Sequence, residues 1–140
     1  MKKRVGVWID HAEAVVVTLI NGQEKTERVR SHAEGHLRLS GGARARSPYG
    51  PQDIASERKM QERRMHQLQR FYRDVAGAIR DADRIFILGP GEAKLEFEKQ
   101  LRKSKELSAK LGAVETADRM TEAQMAATVR AFYKLPKRRR

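Results

Sequence analysis

Basic side chains recur at helical spacing in the middle of this 140-residue chain. Lys59, Arg63, His66, Arg70 and Arg73 are separated by four, three, four and three positions, so they lie along one line if the segment is a helix. A line of cations with few acids beside it suits the phosphates of a nucleic acid, which contribute affinity without reading base sequence. The alternative is a solvated helix face, which is the commoner role of charged residues on a helix.

Further basic residues surround this line. Residues 31–52 contain few large apolar side chains and carry three arginines together with Tyr49, whose ring could stack on a base or simply pack. The tail 134–140 has five basic residues and no acid, which suits either RNA phosphates or solubility. The candidate RNA-binding residues are Arg38, Arg44, Arg46, Tyr49, Arg58, Lys59, Arg63, Arg64, His66, Arg70, Arg73, Lys94, Lys137, Arg138, Arg139 and Arg140.

The overall charge favours a polyanionic partner. The chain has 30 Lys and Arg against 18 Asp and Glu, a net charge of +12, and such a surplus on a small domain is matched most often by nucleic acid. No apolar stretch approaches the roughly 20 residues that span a bilayer. Zero cysteines exclude disulfides and thiolate metal sites and fit a reducing compartment. We therefore expect a cytoplasmic protein with no membrane contact, cofactor or metal ion.

Two places in the sequence contain residues of the types that bind metal ions. Asp10 follows a strand-like apolar run, as a metal-binding carboxylate of a nuclease would, but two-metal catalysis needs several converging carboxylates. The other acids form no recognisable pattern with Asp10, so a turn role is favoured for it. His32 and His36 lie in a glycine-containing segment without a third ligand nearby, so we expect solvent-exposed histidines there.

The pattern of apolar residues predicts an α/β fold in one domain, residues 1–133. Strands are expected at 5–9, 13–20, 24–30, 84–88 and 114–116, and helices at 53–82, 92–102 and 104–111, the last closed by Gly112. Asn21-Gly22 is typical of a hairpin turn, and the capping box at Thr121 to Gln124 begins a final helix. The order implies a mixed five-stranded sheet with helices on both faces. Residues 31–52 are expected to form a mobile basic loop, and residues 134–140 a disordered tail.

The long helix is expected to have one buried and one basic face. Met60, Leu68, Phe71, Val75 and Ile79 fall on the side opposite the basic line. The first half of the helix offers few large apolar groups, so that end is expected to project from the body of the domain.

A glycine turn joins the fourth strand to the next helix. Leu88-Gly89-Pro90-Gly91-Glu92-Ala93-Lys94 with Phe97 resembles the Gly-Pro-Gly-x-x-Lys-x-x-Phe segment in the central domain of Pelota and the archaeal and eukaryotic class I release factors. The opening residues from Val7 to Val16 are similar to the strand, Asp turn and second strand of the same domain. Without the resemblance, the glycines would be assigned only a backbone role.

The resemblance covers nearly the whole chain and extends to small bacterial members of this superfamily, some labelled host-attachment or translational-machinery proteins. It implies an RNase H-like fold, which agrees with the expected element order. It also implies a partner, the ribosome with its rRNA and tRNA. The release factors and Pelota carry flanking domains that this chain lacks, so it would act alone or with a partner in trans.

The resemblance also implies a candidate reaction, the hydrolysis of peptidyl-tRNA. Class I release factors carry Gly-Gly-Gln before the long helix, where it promotes peptidyl-tRNA hydrolysis. Here Gly41-Gly42-Ala43 lacks the glutamine, and Gly50-Pro51-Gln52 has proline, without an N–H and with restricted φ, in place of the second glycine. Gly50 and Gln52 are therefore the only catalytic candidates, and binding without hydrolysis is favoured, since Pelota lacks Gly-Gly-Gln as well.

These observations favour an RNA-binding protein of the translation machinery, acting as a rescue, hibernation or accessory factor on the ribosome. Three alternatives stay open: a peptidyl-tRNA ester hydrolase that uses Gln52, a general RNA-binding protein, and a protein-interaction module whose charge only maintains solubility.

Overall fold

A five-stranded mixed sheet forms the centre of the fold. The computed structural model describes residues 2–33 and 50–134, the side chains of residues 50–55 excepted. Within these residues the elements are β1 (Arg4–Ile9), β2 (Glu13–Ile20), β3 (Gln23–Arg30), α1 (Gly50–Ala78), β4 (Arg84–Gly89), α2 (Ala93–Leu101), α3 (Lys105–Lys110), β5 (Leu111–Thr116) and α4 (Glu122–Phe132). The strand order is β3-β2-β1-β4-β5.

The first three strands form an antiparallel meander. Asn21 and Gly22 both have positive φ, 53° and 75°, which is the backbone of the tight hairpin turn between β2 and β3. Ile20 then pairs with Gln23, so the turn sets the register of the whole β2–β3 ladder. Most side chains of β3 are exposed, as expected for an edge strand of charged residues.

The sheet becomes parallel after β1. β4 pairs with β1 and β5 pairs with β4, both in parallel, with helices as crossover connections. Gly89 ends β4 so close to β1 that a Cβ there would lie 2.2 Å from the Ile9 carbonyl oxygen. Only glycine fits at this contact, so Gly89 joins the central strands to the turn that follows.

Helices cover both faces of the sheet. On one face α1, α2 and α3 bury Phe71, Val75, Ile79, Phe97 and Leu107 against alternating residues of β1, β2 and β4. On the other face α4 buries Met125 and Val129 beside Trp8, and Phe132 stacks on Phe86 with ring centroids 4.0 Å apart. The expected mixed sheet with helices on both faces is confirmed.

The capping box at the start of α4 is also confirmed. The Thr121 hydroxyl accepts from the Gln124 N–H at 3.1 Å, and the Gln124 side chain accepts from the Thr121 N–H at 2.9 Å. The two side chains thereby provide acceptors for two backbone N–H groups that have no carbonyl partner within the helix.

Element boundaries differ from the expectation by one to four residues, and the largest differences are at the two ends of α1 and at the start of β5. α1 begins at Gly50 instead of residue 53, because a proline at position 51 is well suited to the first turn of a helix. It ends at Ala78 instead of residue 82, because the Asp83 N–H donates to the Lys3 carbonyl at 2.7 Å and draws the chain into β4. Gly112 does not close a helix: it is the extra residue of a bulge in β5, between the pairs Ile85–Leu111 and Phe86–Ala113.

Candidate nucleic-acid interface

The predicted line of basic residues forms a solvent-exposed face of α1. Lys59, Arg63, His66, Arg70 and Arg73, here called the basic stripe, are all exposed along the helix. The stripe covers 14 residue steps, or about 21 Å at the rise of an α-helix. The opposite face of the same helix is buried at Leu68, Phe71, Val75 and Ile79. The buried residues from Leu68 onward thus attach the second half of the stripe to the core.

Most of the stripe's charge is not neutralised within the described part of the chain. Lys59, Arg70 and Arg73 form no ion pair with any residue in 2–33 or 50–134. An open groove of about 450 Å³ lies among the side chains of the stripe and is lined by Lys59, Glu62, Arg63, His66, Gln67 and Arg70. Glu62 is the one acid in that set, so cations dominate the groove and suit an anionic ligand.

Two other arginines of α1 lie away from the stripe. Arg64 is about 140° around the helix from Lys59 at 100° per residue, and it faces α2. It is half-buried, and its Nε has no hydrogen-bond partner in the described structure. Arg58 is exposed but lies about 100° from Lys59 on the neighbouring face. The expectation that Arg64 shares one phosphate-binding surface with the stripe is therefore corrected.

Lys94 also lies apart from the proposed surface. Its side chain is 7% exposed, and its ammonium donates to the Gly91 carbonyl at 2.5 Å, because Gly91 with φ of 61° turns that carbonyl toward the first turn of α2. Phe97 is fully buried beside Tyr72. The residues that carry the Gly-Pro-Gly-x-x-Lys-x-x-Phe resemblance thus build the turn and the core, and Lys94 is no candidate phosphate contact.

The catalytic candidates lie at the start of α1. The backbone of Gly50, Pro51 and Gln52 is helical, so these residues belong to the first turn of α1 and not to the loop in which they were expected. Several other candidates lie outside the described residues: Arg38, Arg44, Arg46, Tyr49, Lys137, Arg138, Arg139 and Arg140. Their contribution to the surface stays a prediction.

Asp10 is a turn residue bound by an arginine. Its Oδ1 accepts from the backbone N–H groups of Ala12 and Glu13 at 2.8 and 2.9 Å, which fixes the turn between β1 and β2. Its Oδ2 pairs with Arg119 at 3.1 Å. Protein donors thus take three of the roughly four lone-pair positions of this carboxylate.

A network of ion pairs surrounds Asp10 at this end of the sheet. Buried Glu13 accepts from Arg28 at 2.7 Å and also pairs with Arg119, while Arg28 reaches Glu122 of α4. Burial would raise the pKa of Glu13, but the hydrogen bonds and charges of Arg28 and Arg119 outweigh it, so the pKa is held below its ordinary value. The network joins β2, β3 and α4.

The histidine pair is only partly described. His32 is exposed, with φ of 56°, and His36 lies outside the described residues. Within residues 2–33 and 50–134, no group of three histidine, cysteine or acidic side chains is placed to hold a metal ion.

A second groove lies between α1 and α2, on the side of α1 away from the stripe. It has a volume of about 690 Å³ and is lined by Gln61, Arg64, Met65, Leu68, Gln69, Tyr72, Glu96, Lys99, Gln100 and Lys103. Tyr72 forms its inner end, where the hydroxyl donates to Glu96 at 2.6 Å and His11 contacts the same carboxylate oxygen at 3.1 Å. Burial, together with the Glu96 carboxylate, raises the pKa of Tyr72 far above its ordinary value, so the hydroxyl stays a neutral donor.

Sequence reasoning missed this groove. The α1 residues that line it, from Gln61 to Tyr72, repeat at steps of three, one, three, one and three, and the α2 side repeats likewise from Glu96 to Lys103. These repeats are visible in the sequence, but only the packing of α2 beside α1 places the two faces opposite one another. The expected projection of the first half of α1 is therefore modified, since its inner face forms one wall of a groove.

The fold is similar to parts of two solved archaeal proteins. An archaeal translation termination factor, aRF1, matches with a TM-score of 0.52 and 13% sequence identity over 94% of this chain. Pelota of Archaeoglobus fulgidus matches with a TM-score of 0.52 and 14% identity, also over 94% of this chain. The chain has a Pelota- and aRF1-like domain fold.

The likeness is confined to part of those proteins. The chain covers 39% of the termination factor and 35% of Pelota. No protein-family model and no curated protein matches the sequence. Among residues 2–33 and 50–134, no helix is long and apolar enough to cross a membrane.

Proposed function

We propose that this protein is a ribosome-associated RNA-binding protein of translation, a rescue, hibernation or accessory factor that contacts rRNA or tRNA through the basic stripe of α1. The observation that carries the proposal is the stripe itself: exposed cations at helical spacing, three of which have no acid partner in the described residues. The likeness to a translation termination factor and to Pelota supports the ribosome as the source of the RNA.

The geometry favours phosphate contacts over base recognition. Four of the five stripe residues are lysine or arginine, whose long flexible side chains suit phosphates, and the stripe contains no asparagine, phenylalanine, tyrosine or tryptophan that would read or stack a base. Affinity is then electrostatic, and specificity must come from the shape of the RNA or from a ribosomal protein beside it. The arginines and Tyr49 of 31–52 and the basic tail are proposed to extend the same surface.

Sedimentation of a cell lysate tests the proposal. The protein is followed through sucrose gradients at low and high salt, as wild type and as two variants with equal charge change. Arg70→Glu with Arg73→Glu alters the stripe, and Lys99→Glu with Lys103→Glu alters the α1–α2 groove. Each pair lowers the net charge from +12 by four, so total charge is matched and only position differs.

We expect wild type and the groove pair to migrate with ribosomal fractions at low salt and to leave them at high salt. The stripe pair is expected to lose at least about tenfold in ribosome affinity, because reversal both removes attraction and adds repulsion. Absence of wild type from every ribosomal fraction would contradict the proposal. Equal loss by both pairs would show that net charge, and not the stripe, determines binding.

A further inference from the structure

We propose that the α1–α2 groove is a docking site for an amphipathic helix of a partner protein, with acidic residues beside its apolar stripe. The groove is separate from the basic stripe, so this inference does not rest on the proposed function. Met65 lines this groove and is 59% exposed, although it lies beside the buried Leu68. Met65 adds apolar area to the groove, and the flexible methionine side chain can adapt to the surface of a partner.

The walls of the groove suit a helix. Gln61 to Tyr72 of α1 cover 11 residue steps, about 16 Å, which equals three helical turns. The opposite wall, from Glu96 to Lys103, presents side chains at the same spacing of three and four. An amphipathic helix that places apolar residues at positions i, i+3, i+4 and i+7 fits between two such rows.

The charge at the rim selects an acidic partner. Arg64, Lys99 and Lys103 form no ion pair within the described residues, whereas the neighbouring Arg102 is paired with Glu98 at 2.9 Å. Arg64 Nε is buried without an acceptor among residues 2–33 and 50–134, which leaves one of its donors for a carboxylate of the partner. Glu96 is the one acid of the lining, and both Tyr72 and His11 bind its carboxylate.

Two other occupants fit less well. A nucleic acid base would need an open aromatic face, but the Tyr72 ring is 4% exposed and packs against Phe71 and Phe97. A second copy of the chain, docked groove to groove about a two-fold axis, would place the rim cations of both copies opposite one another, which is unfavourable. Both occupants are outcomes of the test below.

The test uses the full-length ¹⁵N-labelled protein and synthetic peptides followed by NMR. The first peptide is an amphipathic helix of about four turns, with leucine at i, i+3, i+4 and i+7 and glutamate beside the leucines. Its controls are a scrambled peptide of the same composition and a peptide with lysine in place of glutamate. A short single-stranded RNA is titrated separately.

We expect saturable shifts of the α1 and α2 amides that line the groove, with the first peptide only. Met65→Glu is expected to weaken binding at least about tenfold, because it introduces a charge that repels the peptide's acids at an apolar contact. Leu95→Glu is the matched control, since Leu95 is also a large exposed apolar residue, at 51%, but lies outside the groove lining. It is expected to bind as wild type, as is the stripe pair Arg70→Glu with Arg73→Glu.

The Lys99→Glu, Lys103→Glu pair is expected to lose binding of the acidic peptide and to gain binding of the lysine peptide. Circular dichroism of each variant establishes that the fold is retained. The proposal is overturned if the scrambled peptide binds equally, if no groove amide shifts, or if RNA shifts the groove in place of the peptide. It is also overturned if these signals broaden with protein concentration alone, which would assign the groove to a second copy.

Discussion

Arginines have two different roles in this molecule at the residue scale. Arg28 and Arg119 lie between carboxylates at the end of the sheet, where buried Glu13 binds both of them. Arg70 and Arg73 of α1 have no acid partner in the described residues and stay in contact with water. The paired arginines contribute to stability, and the unpaired ones are available to a ligand.

Glu13 should make the stability of the protein depend on pH. Its pKa in the folded state is below its ordinary value of 4.5, so its contribution is complete above pH 4.5 and is lost as pH falls toward the folded pKa. We expect Glu13→Gln to cost about 2 kcal/mol at pH 7, because hydrogen bonds to charged groups are lost. The difference from wild type in urea unfolding should shrink as the pH falls below 4.5.

Glu27→Gln is the control for this prediction. Glu27 is exposed, and its one ion pair within the described residues is to Lys25 at 4.0 Å, so its replacement should change the unfolding free energy by less than about 0.5 kcal/mol. A Glu13→Gln difference that is constant with pH would contradict the assigned role.

Gln52 is expected not to support peptidyl-tRNA hydrolysis. Pro51 beside it has no N–H and a fixed φ, so the backbone cannot supply the donor that a second glycine would supply. The measurement is release of labelled peptide from stalled ribosomes by the purified protein, with Gln52→Ala and Pro51→Gly as variants. Release by wild type that is lost in Gln52→Ala would contradict the prediction, and release by Pro51→Gly alone would identify Pro51 as the block.

At the scale of elements, α1 is a two-sided helix. Its inner face packs on the sheet from Leu68 onward, and its outer face carries the basic stripe. Its earlier turns extend past the well-packed part and form the groove with α2. One helix therefore carries two candidate binding surfaces on nearly opposite sides of its axis. Substitutions can alter each surface without changing the other.

The packing of α4 depends on the absence of a side chain at Gly6. A Cβ at this position would lie 2.2 Å from Val129 Cγ2, and a β-branched valine in a helix has little rotamer freedom to move aside. We expect Gly6→Ala to destabilise the protein by about 1–3 kcal/mol through overpacking. Thermal and urea unfolding measure the effect.

Two variants make this prediction specific. Val129→Ala removes the clashing methyl groups, so the double variant should be less destabilised than the sum of the single ones. Gly77→Ala is the control, because a Cβ at this helical position meets nothing within 4 Å, and it should stabilise by up to about 1 kcal/mol. Additive effects of Gly6→Ala and Val129→Ala would contradict the proposed contact.

At the scale of the whole molecule, charge is distributed unevenly. The net charge is +12, yet most described acids that form ion pairs belong to the sheet, α2 or α4, and the outer face of α1 is left with excess cations. Such an asymmetric field attracts polyanions and speeds their association, and it is screened by salt over about 10 Å at 0.1 M.

Affinity for RNA should therefore fall steeply with salt. If five cations contact phosphates, the slope of log K against log salt concentration should be roughly −3.5 for single strands to −4.5 for duplexes. The Arg70→Glu, Arg73→Glu pair should remove about two phosphate contacts, so the slope should become less negative by roughly 1.5. Fluorescence anisotropy at several salt concentrations measures both, and a slope near zero would exclude phosphate contacts as the main source of affinity.

Periodicity in the sequence was sufficient to predict the helices and strands and the basic stripe. The stripe, the buried face of α1, the Asn21-Gly22 hairpin and the capping box at Thr121 all depend on neighbours within one or two turns, so local spacing predicts them. The resemblance carried by the Gly-Pro-Gly turn likewise agreed with the fold.

The remaining features depend on contacts between residues that are far apart in the sequence. Only the tertiary structure showed that Arg64 faces α2 and that Arg119 pairs with Asp10, because each contact joins separate elements. The same is true of the α1–α2 groove, whose two walls lie about 30 residues apart in sequence. A residue's spacing along a helix determines which face it shares, whereas the neighbour opposite that face is set by how the elements pack.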